Sequence, residues 1–527
     1  MKDAGAATVL AYHTRSKHSL ERYAAGPATM DWDAQPKAFR DWHATASVAL
    51  PHDIRASGIP WSAVGAARAP LAFNARNLAS LLRLCVGLTA WKEYHGARWS
   101  LRAHPSSGNL HPTEAWLITQ GVEGIPDGLH HYHHLHHALE LRASDAAATT
   151  SGVWLGLSSI HWREAWKYGE RAFRYCQLDM GHVLAAVCYA AALHGWHVRL
   201  LPLAPQQVAH TLGLDRDADF ARAEHEEADC ILALEHSQTP PADWRHWHGS
   251  PDRLDPRPLY QWPVIDEVAA ATLGAAPGTV AGLPAAENER LGEPGISAAR
   301  VILNRRSAQA FDGETIMPRG IFLRILAAML DPGNPVWRMW TQPPLVHPLL
   351  LVHRVEGLAP GIYALPRGTD AELALRAALR DKFTWLRSDD TLPLYQLLAA
   401  RSGNAARTLS CHQHIAGRAA FLFILLARFA APIAGNPAAY RHLHWEAGML
   451  GHIATLEAEA AGWRGTGIGC FFDDAVHELL GLHDMQFQVL YHYAIGMALE
   501  DPRILTLPPY PESRDPEPHF PESEIPQ

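Results

Sequence analysis

Four short segments carry residue types that could do chemistry. The first is Asn304-Arg305-Arg306-Ser307-Ala308-Gln309-Ala310-Phe311. Two adjacent guanidiniums and a hydroxyl suit a phosphate and a polyol chain, because arginine forks give charge-assisted bidentate bonds to phosphate. The second is His104-Pro105-Ser106-Ser107-Gly108-Asn109-Leu110-His111-Pro112. Its short polar groups surround a glycine that lets backbone approach a ligand, so the loop could hydrogen-bond the edge of a polar heterocycle. The third is Gly465-Thr466-Gly467-Ile468-Gly469-Cys470. It follows an apolar helical pattern and lacks the strand–turn–helix setting of a dinucleotide fingerprint. Its backbone N–H groups could still face an electron-rich ring. The fourth is Asp501-Pro502-Arg503, where Arg503 is either a second phosphate ligand or half of a strand-end salt bridge.

These segments sit in a chain that reads as one unit written twice. Arg174, Asp179, Gly181, Gly195 and Trp196 are matched by Arg441, Glu446, Gly448, Gly462 and Trp463, each pair 267 positions apart. Upstream, His111-Pro112 matches His347-Pro348 and Gly128-Leu129 matches Gly361-Ile362, at offsets of 236 and 233. The second copy therefore carries an insertion of about thirty residues, and a period this long means tandem domains. The copies differ where the chemistry lies. Ser106, Ser107, Gly108 and Asn109 have no equivalents in Thr341–Pro348, and the glycine run has none in Arg199-Leu200-Leu201-Pro202. Thr14-Arg15-Ser16-Lys17 keeps the cationic character of Arg305-Arg306-Ser307.

The elements that must position these residues follow from periodicity. Helical spacing marks 78–91 and 321–330, and the stretches 178–196 and 446–463 are apolar nearly all round and end at glycine, as buried helices do. Short apolar runs at 115–120, 230–236, 348–355 and 488–496 read as strands. The fold class is α+β: two tandem domains, each a small mixed or antiparallel sheet surrounded by helices, paired within one chain. The expected boundaries are 1–240, a linker at 241–284, 285–507, and a proline- and acid-rich tail at 508–527, extended or disordered.

Bulk properties exclude several classes. With 527 residues and 48% apolar content each unit can bury a large core. A net charge of −9 gives no electrostatic footprint for nucleic acid, and no apolar run approaches the ~20 residues of a membrane span. The six cysteines are scattered without CxxC spacing, which favours free thiols in a reducing cytoplasm. The run His130–His137 alternates like a hairpin strand and implies no metal. Cys411-His412-Gln413-His414 reads as a helix start or as part of a substrate pocket.

The Arg-Arg-Ser-x-x-x-Phe start, the Pro-Ser-Ser-Gly loop, the late glycine run and the final arginine together resemble the nitroreductase-like flavoproteins. The details look most like the SagB/ThcOx-type dehydrogenase branch, which includes azoline oxidases. The resemblance implies FMN bound where two units meet. One unit would supply Arg305, Arg306, Ser307, Gln309, Thr466, Gly467, Ile468, Gly469 and Arg503, and the other Pro105, Ser106, Ser107 and Asn109. Trp166-Lys167-Tyr168 is similar to the branch's Lys-Tyr segment, which implies Lys167 and Tyr168 in proton removal; a surface lysine beside a packed tyrosine is the alternative. The asymmetry of the copies predicts one FMN per chain. The expected activity is hydride transfer between flavin and a small-molecule or peptide-derived substrate, with NAD(P)H or O2 as redox partner. An NAD(P)H-dependent nitro- or quinone reductase and a non-catalytic flavin-binding or partner-recognition protein are the alternatives. A chain that completes its own site permits a monomer.

Overall fold

The computed structural model describes residues 2–55, 57–146, 151–279, 295–368 and 370–510. The start of the expected second unit (285–294) and most of the tail (511–527) lie outside them. Two long helices, Ala172–Leu193 and Ala439–Ala460, run through the middle of the molecule and pack on each other. They are buried nearly all round because each is enclosed by its own unit and by the other helix. They approach at glycine. A Cβ on Gly448 would meet the Leu178 carbonyl and stand 2.9 Å from the Gly181 Cα, and a Cβ on Gly181 would meet the Trp445 carbonyl. Both helices stop at a left-handed glycine, Gly195 and Gly462, each with φ of 75°.

Each helix lies against an antiparallel sheet. In the first, five strands run in the spatial order Gly128–His133, Thr113–Gln120, Gly152–Ser159, Glu227–Leu234, Val198–Leu200. In the second, Gly361–Ala364, Val346–Val352, Phe421–Arg428, Phe487–Gly496 and Arg464–Ile468 repeat that order. The sequence repeat is thus a repeat of topology. The first sheet also takes up Ala138–Ala146, Ser47–Ala49 and Trp244–Trp247, the last from the segment expected as linker. That segment further supplies the helix Pro263–Ala271, packed on Lys2–Arg15.

The units exchange ion pairs and arms. Arg174 and Arg171 reach Asp473 of the second unit at 2.8 and 3.0 Å, and Arg441 returns to Glu227 and Asp229 of the first at 2.9 and 3.2 Å. Strand Leu505–Leu507 leaves the second unit and pairs with Leu88–Tyr94, whose other neighbour is Ala97–Arg102. Beyond it the Pro509 carbonyl accepts from Trp91 Nε1 (3.1 Å). The Tyr510 hydroxyl accepts from the Leu88 N–H (3.0 Å).

Two expectations are corrected. The helix expected over 78–91 spans Ala75–Cys85; Gly87 interrupts it, and the alternating Leu88–Tyr94 is a strand. Cys411 and Cys470 are not free thiols but form a disulfide, with Cα atoms 5.9 Å apart; Cys85, Cys176, Cys188 and Cys230 are free and buried. Three histidines of the first-sheet hairpin are buried partners of carboxylates: His131 bridges Glu114 and Glu140, at 3.0 and 2.8 Å, His133 meets Asp41 at 2.8 Å, and His134 lies 3.6 Å from Glu114.

Candidate functional site

A cavity of about 380 Å³ opens where the two units meet, within the ~300–1,000 Å³ typical of cofactor pockets. One wall is the turn that follows Ala97–Arg102. Pro105, Ser106, Ser107, Gly108 and Asn109 all line the cavity. Gly108 sits at φ 58°, and a Cβ there would meet the Tyr168 hydroxyl, so the position requires glycine twice over. The serines hold the turn in shape. Ser106 Oγ accepts from the His111 N–H (2.9 Å), while the Ser107 N–H and Oγ donate to the Asp179 carboxylate (2.9 and 2.8 Å). Asn109 Nδ2 donates to the Ser100 carbonyl at 3.0 Å.

The facing wall belongs to the second unit. Helix Ala298–Asn304 ends at Arg305, and Arg305, Arg306, Ser307, Ala308 and Gln309 run along the cavity. Arg305 is 3% exposed and crosses the unit boundary, donating to the Ala103 and Arg102 carbonyls at 2.9 and 3.1 Å. Its Nη1 is buried without a protein partner. Arg306 donates to the Leu303 carbonyl (2.9 Å) and the Thr89 hydroxyl (3.2 Å), not to a carboxylate. Burial, with Arg305 and Arg464 close by, lowers its pKa to about 10. Lys92 and Arg464 line the same end. A cluster of this kind is relieved by an anion.

Most of the glycine run lies in the edge strand Arg464–Ile468, which follows the long helix Ala439–Ala460. Its glycines make room for tyrosines. A Cβ on Gly465 would come within 2.6 Å of the Tyr493 ring; one on Gly467 would meet the Tyr491 hydroxyl, and one on Gly469 the Tyr175 ring. The outer edge is still available to a ligand. The Gly465 carbonyl faces outward and accepts from the Ala308 N–H at 3.1 Å. Residues two apart in a strand point their backbone groups the same way, so the Gly467 N–H faces outward too, and Gly467 lines the cavity.

The cavity thus gathers Pro105, Ser106, Ser107, Asn109, Tyr168, Arg305, Arg306, Ser307, Gln309, Thr466, Gly467, Ile468 and Gly469. It does not gather Arg503 or Lys167. Arg503 is exposed, forks onto Asp501 at 2.9 and 2.7 Å, and lies 5.5 Å from the Tyr94 ring centre. Arg464 lines the wall instead. The Lys167 ammonium stands near the Trp32 and Tyr168 rings, at 5.8 and 5.4 Å. One residue further on, about 100° around the helix, Tyr168 reaches the cavity and Lys167 does not. Sequence reasoning missed Asp179, Tyr175, His182 and Tyr491, all of which line the wall. The signal for Asp179 was available: a carboxylate inside an otherwise apolar helix. His182 lies 3.2 Å from the Tyr491 hydroxyl, and burial beside Arg305 keeps it neutral.

The pseudo-symmetric position is built differently. Leu345 and Val346 replace the serine turn, and their N–H groups donate to Glu446 at 3.2 Å. The Arg367 guanidinium pairs with that carboxylate and donates to the Val346 carbonyl at 2.9 Å. The basic segment near the N-terminus is consumed as well: Arg15 pairs with Glu170 and Lys17 with Asp474, the latter at 2.8 Å.

Comparisons with known proteins place this geometry. Residues 363–497 match the model of the nitroreductase family. No curated protein matches the chain. A solved structure from Anabaena variabilis ATCC 29413, provisionally assigned as a nitroreductase, is 22% identical with a TM-score of 0.68, covering 93% of this chain and 99% of that one. A chain of the Escherichia coli microcin synthetase McbBCD complex with truncated pro-MccB17 is 17% identical (TM-score 0.26; 45% of this chain, 94% of that one). The NADPH:FMN oxidoreductase from Vibrio harveyi is 16% identical (TM-score 0.24; 39% and 70%). The second unit carries the nitroreductase-family segment, and the fold is nitroreductase-like, present twice in one chain.

Proposed function

We propose that the protein is an FMN-dependent oxidoreductase of the SagB/ThcOx type, with one flavin per chain between its units. The observation that carries this reading is the asymmetry of the two equivalent positions. One is a cavity that joins Arg305–Gln309 and the edge strand to the Pro105–Asn109 turn; the other is occupied by Arg367 and Glu446.

The residues present fit FMN. The buried Nη1 of Arg305, without a partner among the described residues, supports an anionic or electron-rich ligand, and Lys92 and Arg306, beside an Arg464 paired with Glu500 and Glu459, suit its phosphate. Arg306, Ser307 and Arg464 would hold the phosphate. The Gly467 N–H, the Ser106–Ser107 turn and Gln309 would meet the rest. When bound, FMN supplies a site that accepts or returns a hydride. The chain's own contribution is to position and to exclude water: Tyr168, Tyr175 and Tyr491 close the cavity floor with aromatic surface. A small-molecule or peptide-derived substrate is the class this reading assigns.

Denaturing the purified protein and counting released FMN tests the reading. One per chain is expected; two or none overturns it. Anaerobic mixing of the loaded protein with NADPH decides the direction of electron flow. Rapid bleaching selects the reductase alternative, and an unbleached flavin selects a dehydrogenase or oxidase.

A further inference from the structure

Asp179 is the cavity-wall carboxylate that no cation partners. Glu500 and Asp501 also line the wall, but each is paired, with Arg464 and Arg503. Asp179 is 2% exposed and is held by the Ser107 N–H and hydroxyl, with the Ser106 hydroxyl beside them. Behind it lies a second carboxyl group, Glu164, fully buried, with neither oxygen hydrogen-bonded. Glu164 is on the helix His161–Tyr168, one turn before Tyr168, which itself lines the cavity. The other titratable groups facing this pair are Tyr168, Tyr175, Cys176 and Tyr491, all neutral, and the Lys167 ammonium, whose charge acts on Glu164.

The equivalent position in the second unit shows what is unusual. Glu446 also receives backbone N–H groups, but there Arg367 supplies a positive charge. The carboxylate is paired with a cation in the second unit and left without one in the wall of the cavity. Burial is the main influence on the Asp179 carboxyl and raises its pKa to about 7, with the hydrogen bonds of Ser107 and Ser106 opposing. Burial, then Asp179 itself, pushes the Glu164 carboxyl well above the usual carboxylate range.

We propose that the Asp179 carboxylate, backed by Glu164, takes up a proton when electrons enter the cavity. The inference rests on the flavin reading above. Reduction of a flavin beside the wall adds negative charge, and a like charge favours the neutral form of a neighbouring carboxylate. Two electrons and one proton arrive together as a hydride. The second proton, from substrate or solvent, converts the Asp179 –CO2− to –CO2H. No bond forms between Asp179 and the cofactor; the reductant is the hydride donor, or dithionite when the reaction is run without substrate, in which case dithionite supplies the two electrons and both protons come from solvent. Asp179 thereby fills the proton-accepting role that Lys167, outside the cavity, does not reach.

The test counts protons. FMN-loaded protein of known flavin content is reduced anaerobically with dithionite in weak buffer, and proton uptake per two electrons is read with an indicator dye. At about pH 8, a unit above the raised value of about 7, the wild type should take up close to one proton more than Asp179→Asn. At about pH 5.5, where the carboxyl is already protonated, the difference should vanish. Equal uptake at both pH values overturns the proposal. If Asp179→Asn fails to fold, Ser107→Ala serves: the Ser107 hydroxyl donates to the carboxylate and favours its charged form, so losing it should move the pH at which the extra proton disappears upward, and an unmoved profile overturns the proposal. A protein that takes up no flavin retires the function reading and this inference together; a loaded protein with equal uptake retires this inference alone.

Discussion

The Pro105–Asn109 turn and its counterpart at Pro343–Val346 occupy equivalent places beside equivalent long helices, yet the first lines a cavity with an unpaired carboxylate and the second meets a carboxylate paired with Arg367. The first presents hydroxyls to Asp179 and leaves that carboxylate without a cation. The second presents plain backbone N–H groups to Glu446 and fills the remaining space with Arg367, whose guanidinium lies 4.5 Å from the Trp337 ring centre. A duplicated fold therefore gave two scaffolds, and a handful of side chains made one a container and the other a plug. The backbone repeat serves stability in both halves. The chemistry separates them.

Three measurements bear on that contrast. The largest effect is expected from Arg367→Ala. It strands Glu446 in the interior, and breaking a buried pair costs about 3–5 kcal/mol. Chemical denaturation should show that loss while the released FMN per chain stays at one. A rise to two would mean that the plug alone keeps the second position from binding.

The second concerns the sheets. In the first, burial opposes charge on His131, but Glu114 and Glu140 raise its pKa to about 9; the aligned residue of the second sheet is Ala364. A group raised above its unfolded value of about 6.5 stabilises fully below that pH and loses its contribution as pH rises through the folded value. Roughly 3 kcal/mol should therefore disappear between about pH 7 and 10. Unfolding free energies measured across that range should fall for the wild type and stay flatter for His131→Gln.

The third asks whether the symmetric part is symmetric in energy. Gly181→Val and Gly448→Val each drive a side chain into the other helix. Overpacking of this kind costs about 1–3 kcal/mol. Similar losses in melting experiments are expected from both; a large difference would show that the asymmetry extends into the helix contact.

Much of this was legible in the sequence. The 267-residue spacing marked the glycines that let the long helices touch and the arginines Arg174 and Arg441 that reach into the opposite unit. The Arg305–Gln309 segment, the serine turn and the glycine run were readable because their residue types are unusual together. Residues whose place depends on a local angle were not. Arg503 is drawn to Asp501 by a two-residue turn, and Lys167 is carried away by helical rotation. The glycines were readable as glycines, but their reason, three tyrosine rings, comes from the neighbouring strand and long helix. The Cys411–Cys470 pair spans 59 residues and follows no spacing rule, so only the folded chain brings it together.

The strand Leu505–Leu507 has a consequence for the order of assembly. It comes after every other part of the cavity wall in the chain, and it staples the Leu88–Arg102 hairpin, which supplies Lys92, Trp99 and Leu101 to that wall. Domains fold as they leave the ribosome, N-terminal first. The first unit must therefore wait, with its hairpin edge unpaired, until the whole second unit has been synthesised. Cofactor capture becomes a late event, and the hairpin is the part of the first unit most in need of protection in the interval.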